Sequence, residues 1–140
     1  MISQKARYAL LAMLHLARSE APASAAAIAA AESIPRKYLE QILSSLRRCG
    51  LEVARRGAAG GYSLARPPEE ISFAEILRAI DGPLALAPCV SQTAFRPCDD
   101  CRPVGECEIR PVLAAVRDAT ARLLEGATLA RAVVGNIPVP

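Results

Sequence analysis

The sequence predicts a mainly α-helical chain carrying one small β-hairpin, and three observations point that way. Apolar residues make up 52% of the 140 and charged residues 22%, but only 4% are aromatic and none is Trp. An apolar share built largely on alanine favours helices over the β-branched and aromatic surfaces of a sandwich. Apolar side chains recur at helical spacing in most segments bounded by Ser, Pro and Gly signals. One stretch alternates instead, Leu51 to Arg66, and a glycine-rich turn interrupts it. A chain of this length can fold as one ordinary domain, with or without appendages, and needs no disulfide or metal to do so.

Taken in order, Ser3 is placed to cap a first helix, Ser3 to Ser19. It is apolar nearly all round (Tyr8, Leu10, Leu11, Met13, Leu14, Leu16), so burial on more than one side is expected. Ala21-Pro22-Ala23 breaks it, and Ser24 can cap a short alanine-rich helix over Ala25 to Ala31. Pro35 suits the first turn of a third helix, Pro35 to Arg48, which Gly50 can end. Leu39, Ile42, Leu43 and Leu46 form its apolar stripe, while Lys37, Glu40, Gln41, Ser44 and Arg48 share the opposite face. Leu51 to Arg56 and Tyr62 to Arg66 then form two strands around the turn Gly57 to Gly61, with Leu51 and Val53 facing in and Glu52 out. Three short helices followed by a two-stranded hairpin is the order of a winged helix-turn-helix.

Beyond Pro67-Pro68, Ser72 and Glu75 form a capping box, Ile71 and Ile76 a hydrophobic staple, and Gly82-Pro83 stops the helix they start. From Leu84 to Gly105 periodicity vanishes and proline recurs, so this loop must be held by something other than its own core. Glu108 to Glu125 is the last long helix. Its stripe Ile109, Leu113, Val116, Thr120, Leu123 steps 4-3-4-3, the spacing of helix pairing, and marks a candidate dimer interface. Gly126 ends it, Thr128 can cap a short further turn, and the tail Ile137 to Pro140 is expected to be loose.

Charge and cysteine point to function. The net charge is only +3, yet Arg36 to Arg66 holds seven basic residues against two acids, a local +5. A basic patch on a nearly neutral chain suggests a polyanionic partner at one face. There is no apolar run long enough to cross a bilayer, and Met1 to Arg7 lacks the apolar region of a signal peptide, so a cytoplasmic protein without a membrane partner is expected. Four of the five cysteines fall between Cys89 and Cys107. In a cytosolic chain such a cluster reads as metal, iron–sulfur or redox chemistry.

The polar face of the third helix, Lys37, Glu40, Gln41, Ser44 and Arg48, has the side chains that read base edges in a major groove. The hairpin loop Arg56-Gly57-Ala58-Ala59-Gly60-Gly61-Tyr62 sets an arginine on a glycine-rich tip, suited to a phosphate backbone or a minor groove. Arg56, Gly57, Gly60, Gly61 and Tyr62 are therefore the candidate contacts of the wing. Cys49 stands apart and reads as a buried, inert thiol, and His15, on an apolar helix, as a core or interface histidine.

The start Lys5-Ala6-Arg7-Tyr8-Ala9-Leu10-Leu11-Ala12-Met13-Leu14, the stretch Tyr38-Leu39-Glu40-Gln41-Ile42-Leu43 and the hairpin Arg56-Gly57-x-x-Gly60-Gly61-Tyr62-x-Leu64-Ala65-Arg66 resemble one bacterial family. It is the family of winged-helix regulators containing IscR, NsrR, RirA and CymR, and the resemblance spans essentially the whole chain. It implies a homodimeric transcriptional regulator, acting as a repressor on double-stranded operator DNA. By that resemblance Arg56 enters the minor groove and Lys37, Glu40 and Gln41 face the major groove. The implied organisation is a DNA-binding unit over 1–82, a cysteine-rich sensor loop over 83–107, a dimerisation helix and C-terminal turn over 108–135, and a flexible tail over 136–140.

The cysteine spacing, Cys89-x8-Cys98-x2-Cys101-x5-Cys107, offers soft ligands that iron–sulfur clusters and Zn²⁺ both accept. Structural zinc sites usually pair two short knuckles, and only one is present. The looser spacing is similar to the loop of the cluster-binding members of the family. IscR-like members place a histidine three residues after the last cysteine, where this chain has Arg110, and NsrR-like members use an acid near the first helix, where this chain has Arg7. The ligand pool is therefore Cys89, Cys98, Cys101 and Cys107, for a [2Fe-2S] or [4Fe-4S] cluster whose type stays open. A metal-free thiol/disulfide switch and a zinc site stay open beside it. Asp99, Asp100 and Glu106 among the thiols would raise their pKa values unless a cation is bound. An oxidoreductase using Cys98-x-x-Cys101 would need that motif in a strand–helix–strand context, which is missing. With no second histidine, phosphate loop or paired catalytic carboxylates, neither an enzyme nor a small-molecule substrate is expected.

Overall fold

The computed structural model describes residues 2–137, so part of the tail expected over 136–140 lies outside the described residues. The elements run α1 (Gln4–Arg18), α2 (Ala25–Glu32), α3 (Arg36–Arg48), β1 (Glu52–Arg55), β2 (Gly61–Leu64), α4 (Phe73–Asp81), α5 (Arg110–Gly126) and α6 (Leu129–Val133). Short 3-10 turns lie at Pro68–Glu70, Pro88–Val90 and Val104–Glu106.

The caps expected from sequence set the starts. Ser3, Ser24 and Thr128 each accept a backbone N–H from the first turn of their helices, and Ser72 with Glu75 closes the reciprocal box on α4. Pro35 precedes α3 rather than opening it, and α5 begins at Arg110, two residues later than the spacing suggested.

α2 and α3 are joined by Ser33-Ile34-Pro35, the short turn of a helix-turn-helix. Ser33 takes a left-handed conformation at φ 54°, and its N–H bonds the Ala29 carbonyl, closing the end of α2. Ile34 is buried behind the turn, and Pro35 prevents α2 from running on. The stripe Leu39, Ile42, Leu43 and Leu46 is fully buried against Met13, Leu16, Ile28, Ile71, Ile76 and Leu129. At about 1.5–3 kcal/mol for each large apolar side chain buried, this stripe fixes which face α3 turns outward.

The hairpin pairs Glu52 with Leu64, Val53 with Ser63, Ala54 with Tyr62 and Arg55 with Gly61. Leu51 is buried as the alternation expected, but Glu52 and Val53 reverse the expected facing. Glu52 is 1% exposed and Val53 42% exposed, because Leu51 belongs to the bend after α3 and Glu52 takes the first inward position of the strand. The hairpin is docked through a two-bond bridge: the Ala23 N–H bonds the Tyr62 carbonyl at 3.0 Å and the Tyr62 N–H the Ala23 carbonyl at 2.8 Å.

α6 returns to pack on α1. Phe73 and Leu129 donate backbone bonds of 2.9 Å to Ala127 and Ile71, and Leu129 enters the core. α5 contrasts with the other helices: of its 17 residues only Ala121 is buried, while Val112, Val116 and Leu123 are exposed.

Candidate functional site

The packing of α3 leaves Lys37, Glu40, Gln41 and Arg48 exposed and Ser44 half-buried on one surface, as the spacing required. Lys5 and Ser45 join them around the same open concavity, and the sequence reading missed both. Lys5, on α1, reaches the Ser45 hydroxyl at 3.4 Å, and Arg48 donates to that oxygen at 3.2 Å. The Ser45 hydroxyl donates in turn to the Gln41 carbonyl at 3.1 Å. Arg36 and Glu40 form an exposed pair at 3.3 Å. Lys5 could not be found from the periodicity of α3, because it comes from another helix.

At the hairpin, Arg55, Arg56 and Gly57 are exposed at the tip, beside the α3 surface in the chain order. Gly60 and Gly61 serve the chain itself. A Cβ on Gly60 would lie 2.2 Å from the Arg55 carbonyl oxygen, and one on Gly61, at φ 134°, would lie 2.8 Å from that of Ala23. Tyr62 is half-buried against the core and anchors the hairpin.

The four loop cysteines come together. Cys89, Cys98, Cys101 and Cys107 line one cavity of about 380 Å³, with Asp99, Asp100 and Arg110. Cys89 is buried, Cys98 and Cys107 are half-buried and Cys101 is exposed. A hydrogen bond with the Cys98 thiol pushes the Cys89 thiol upward, as do burial and the fields of Cys98 and Cys101, while Arg110 pulls it down. Cys49 lies elsewhere and is exposed, contrary to its reading as a buried thiol, because it follows the last turn of α3. His15 is partly buried, with Nδ1 3.8 Å from Glu32.

The loop is less formless than its sequence suggested. Cys89, Val90 and Ser91 are buried, and α5 holds them: Arg117 donates to the Val90 carbonyl at 2.7 Å and Arg110 to the Cys89 carbonyl at 3.3 Å. Ser91 accepts the Thr93 and Ala94 N–H groups, closing the following turn. Burial of Cys89 and Val90 and these polar anchors together hold the segment.

Among the described residues no three His, Cys, Asp or Glu side chains converge closely enough to hold a metal ion as they stand. The donor chemistry nevertheless fits a thiolate-ligated group. Four thiols face one cavity, and the buried Arg110 Nε has no partner, leaving a cationic donor for anionic sulfur. No helix among the described residues is long and apolar enough to cross a membrane.

The family model for Rrf2, described as an iron-dependent transcriptional regulator, matches residues 2–134. The chain is 42% identical over 134 residues to the rrf2-like HTH-type transcriptional regulator of Rhodobacter capsulatus, covering 92% of this chain and 89% of that protein. Several other curated relatives, at 42–48% identity, match over 82–86 residues, 53–62% of their own length. Among solved structures, CymR of B. subtilis, described as the global cysteine regulator, superposes with a TM-score of 0.78 at 33% identity, covering 96% of this chain and 97% of that one. IscR of T. potens superposes with a TM-score of 0.72 at 30% identity, covering 96% and 87%.

Proposed function

The chain belongs to the Rrf2 family of transcriptional regulators, which are not enzymes, and from that premise we propose that it is a homodimeric repressor whose cysteine cavity holds an iron–sulfur cluster and reports its state to operator DNA. In this reading Lys37, Glu40, Gln41, Ser44 and Arg48 face the major groove, with Lys5 and Ser45 at the border. Arg56 at the hairpin tip takes the minor groove. The apolar stripe that α5 leaves exposed pairs with its copy in a second chain, which sets two α3 helices toward a two-fold site.

The single observation that carries the sensing half is the convergence of all four loop thiols on one cavity at the start of α5. Cys89, Cys98, Cys101 and Cys107 would hold the cluster, and Arg110 would offset its negative charge. When bound, the cluster would supply a centre that reacts with oxidants or nitric oxide. The protein's part is to translate occupancy of the cavity into the position of α5 and the loop. Cys89 and Cys107 lie near opposite ends of the long segment between α4 and α5, so tying or freeing them would change how α5 is held against α4.

A second reading, a metal-free thiol/disulfide switch, has one observation of its own: Cys89 and Cys98 line the same cavity, and the Cys98 thiol pushes the Cys89 pKa upward. Anaerobic purification with an absorption spectrum and iron and sulfide analysis separates the two. The cluster reading expects a visible chromophore lost in Cys89→Ala, Cys101→Ala and Cys107→Ala. Colourless, iron-free protein that forms a Cys89–Cys98 disulfide on oxidation would replace it with the thiol reading.

A further inference from the structure

Glu52 occupies a place that strand patterning would give to an apolar side chain. It opens β1, is 1% exposed, and neither of its carboxyl oxygens has a hydrogen-bond partner. The backbone around it is held on both sides. The Leu51 N–H bonds the Leu46 carbonyl of α3 at 3.0 Å, and the Ala65 N–H bonds the Leu51 carbonyl at 3.2 Å. The side chain therefore cannot reach water unless the root of the hairpin shifts.

Few groups are set to stabilise a charge there. From α3, Arg47 in the last turn is the charged side chain whose field reaches Glu52. β2 places Leu64 opposite it and Tyr62 two positions along the same face. Arg66, just past β2, is engaged by Glu75 at 2.6 Å and by the Glu70 carbonyl at 3.2 Å. An enclosed, unpaired carboxyl in such a place is held comfortably only as the neutral acid.

We propose that Glu52 is a proton-operated latch at the root of the wing. As the acid it leaves β1 seated against α3. Once ionised, it moves toward Arg47 and solvent and loosens the hairpin that carries Arg56. The effect on DNA rests on the reading of this hairpin as a DNA-contacting wing. The direction of titration agrees: burial raises the Glu52 pKa from 4.5 to about 7, with Arg47 pulling the other way. Because the folded chain holds this proton more tightly than the unfolded chain, the stability it brings is complete below about 4.5 and is lost as pH rises through about 7.

The test uses the full chain and two readouts between pH 6 and pH 8 at fixed salt. The first is amide hydrogen exchange at Val53 and Ser63, which face each other across the hairpin, corrected for the intrinsic pH dependence of exchange. The second is affinity for operator DNA. Wild-type protection is expected to fall by about tenfold across the range, most steeply below pH 7 and levelling off above it. Operator affinity should fall with it, while Glu52→Gln and Glu52→Met stay flat in both. Parallel profiles for wild type and both variants would overturn the latch. A pH-dependent hairpin with pH-independent operator affinity would overturn the coupling, and would locate the failure in the wing reading rather than in Glu52.

Discussion

Gly61→Ala should damage this protein far more than Gly57→Ala, although both glycines lie in the same hairpin and both have positive φ. At Gly61, φ 134° is a backbone conformation that costs an alanine about 1–3 kcal/mol. The added Cβ would also meet three backbone atoms of Ala23, at 2.8, 3.0 and 3.1 Å, none of which can rotate away. Relieving that clash means separating the bridge at 2.8 and 3.0 Å between Ala23 and Tyr62, two bonds worth about 0.5–1.5 kcal/mol each. Together these come to about 2–6 kcal/mol, a large part of the 5–15 kcal/mol that holds a typical domain. Gly57, at φ 101°, has no atom within 4 Å of its added Cβ, so it carries only the backbone term. Urea unfolding of the two variants beside wild type measures the difference directly. Operator binding should follow stability in Gly61→Ala, since the undocked hairpin no longer presents Arg56. Equal midpoints for the two variants, or wild-type stability in Gly61→Ala, would refute the account of how the hairpin is docked.

Arg56→Ala should lose about 1–3 kcal/mol of specific operator binding, whereas Lys5→Ala should weaken all sequences alike and reduce the salt slope by about 1. Gel shifts at several salt concentrations distinguish the two behaviours. Val116→Asp or Leu123→Asp buries a charge in the proposed α5 pairing, so sedimentation should find monomer or aggregate, with full-site binding lost. Cys49→Ala should change neither chromophore nor operator affinity, because this exposed thiol lies away from the cavity.

The α3 surface and the helix starts were legible because they rest on local rules. A helix stripe such as Leu39, Ile42, Leu43, Leu46 fixes by spacing alone which side chains point outward, and Ser3, Ser24, Ser72 and Thr128 announce their helices through cap chemistry. The errors fall where tertiary contact overrides pattern. Alternation alone gives two possible facings for a four-residue strand, and the bend at Leu51 chose the one that buries Glu52. Gly60 and Gly61 read as room for a phosphate, yet the backbone atoms that exclude a Cβ are those of Arg55 and of Ala23, the latter 38 positions before Gly61. Lys5 joins the α3 surface from a different helix, and the anchoring of Val90 by Arg117 spans 27 positions of sequence. Neither leaves a local signal. The cysteines were legible as a cluster because thiols are rare, but their convergence on one cavity depends on those long-range anchors.

The central claim is that the cysteine cavity controls affinity for DNA. It is tested most directly by titrating one operator, at fixed salt, with anaerobically reconstituted wild type and with the variant in which Cys89, Cys98, Cys101 and Cys107 are all replaced by alanine. The account predicts affinities differing by at least about tenfold, a coupling of about 1.4 kcal/mol between the cavity and the DNA face. Equal affinities, with iron and sulfide shown to be present in the wild type, would mean that the cavity binds its cofactor without informing the DNA-binding surface, and would contradict it.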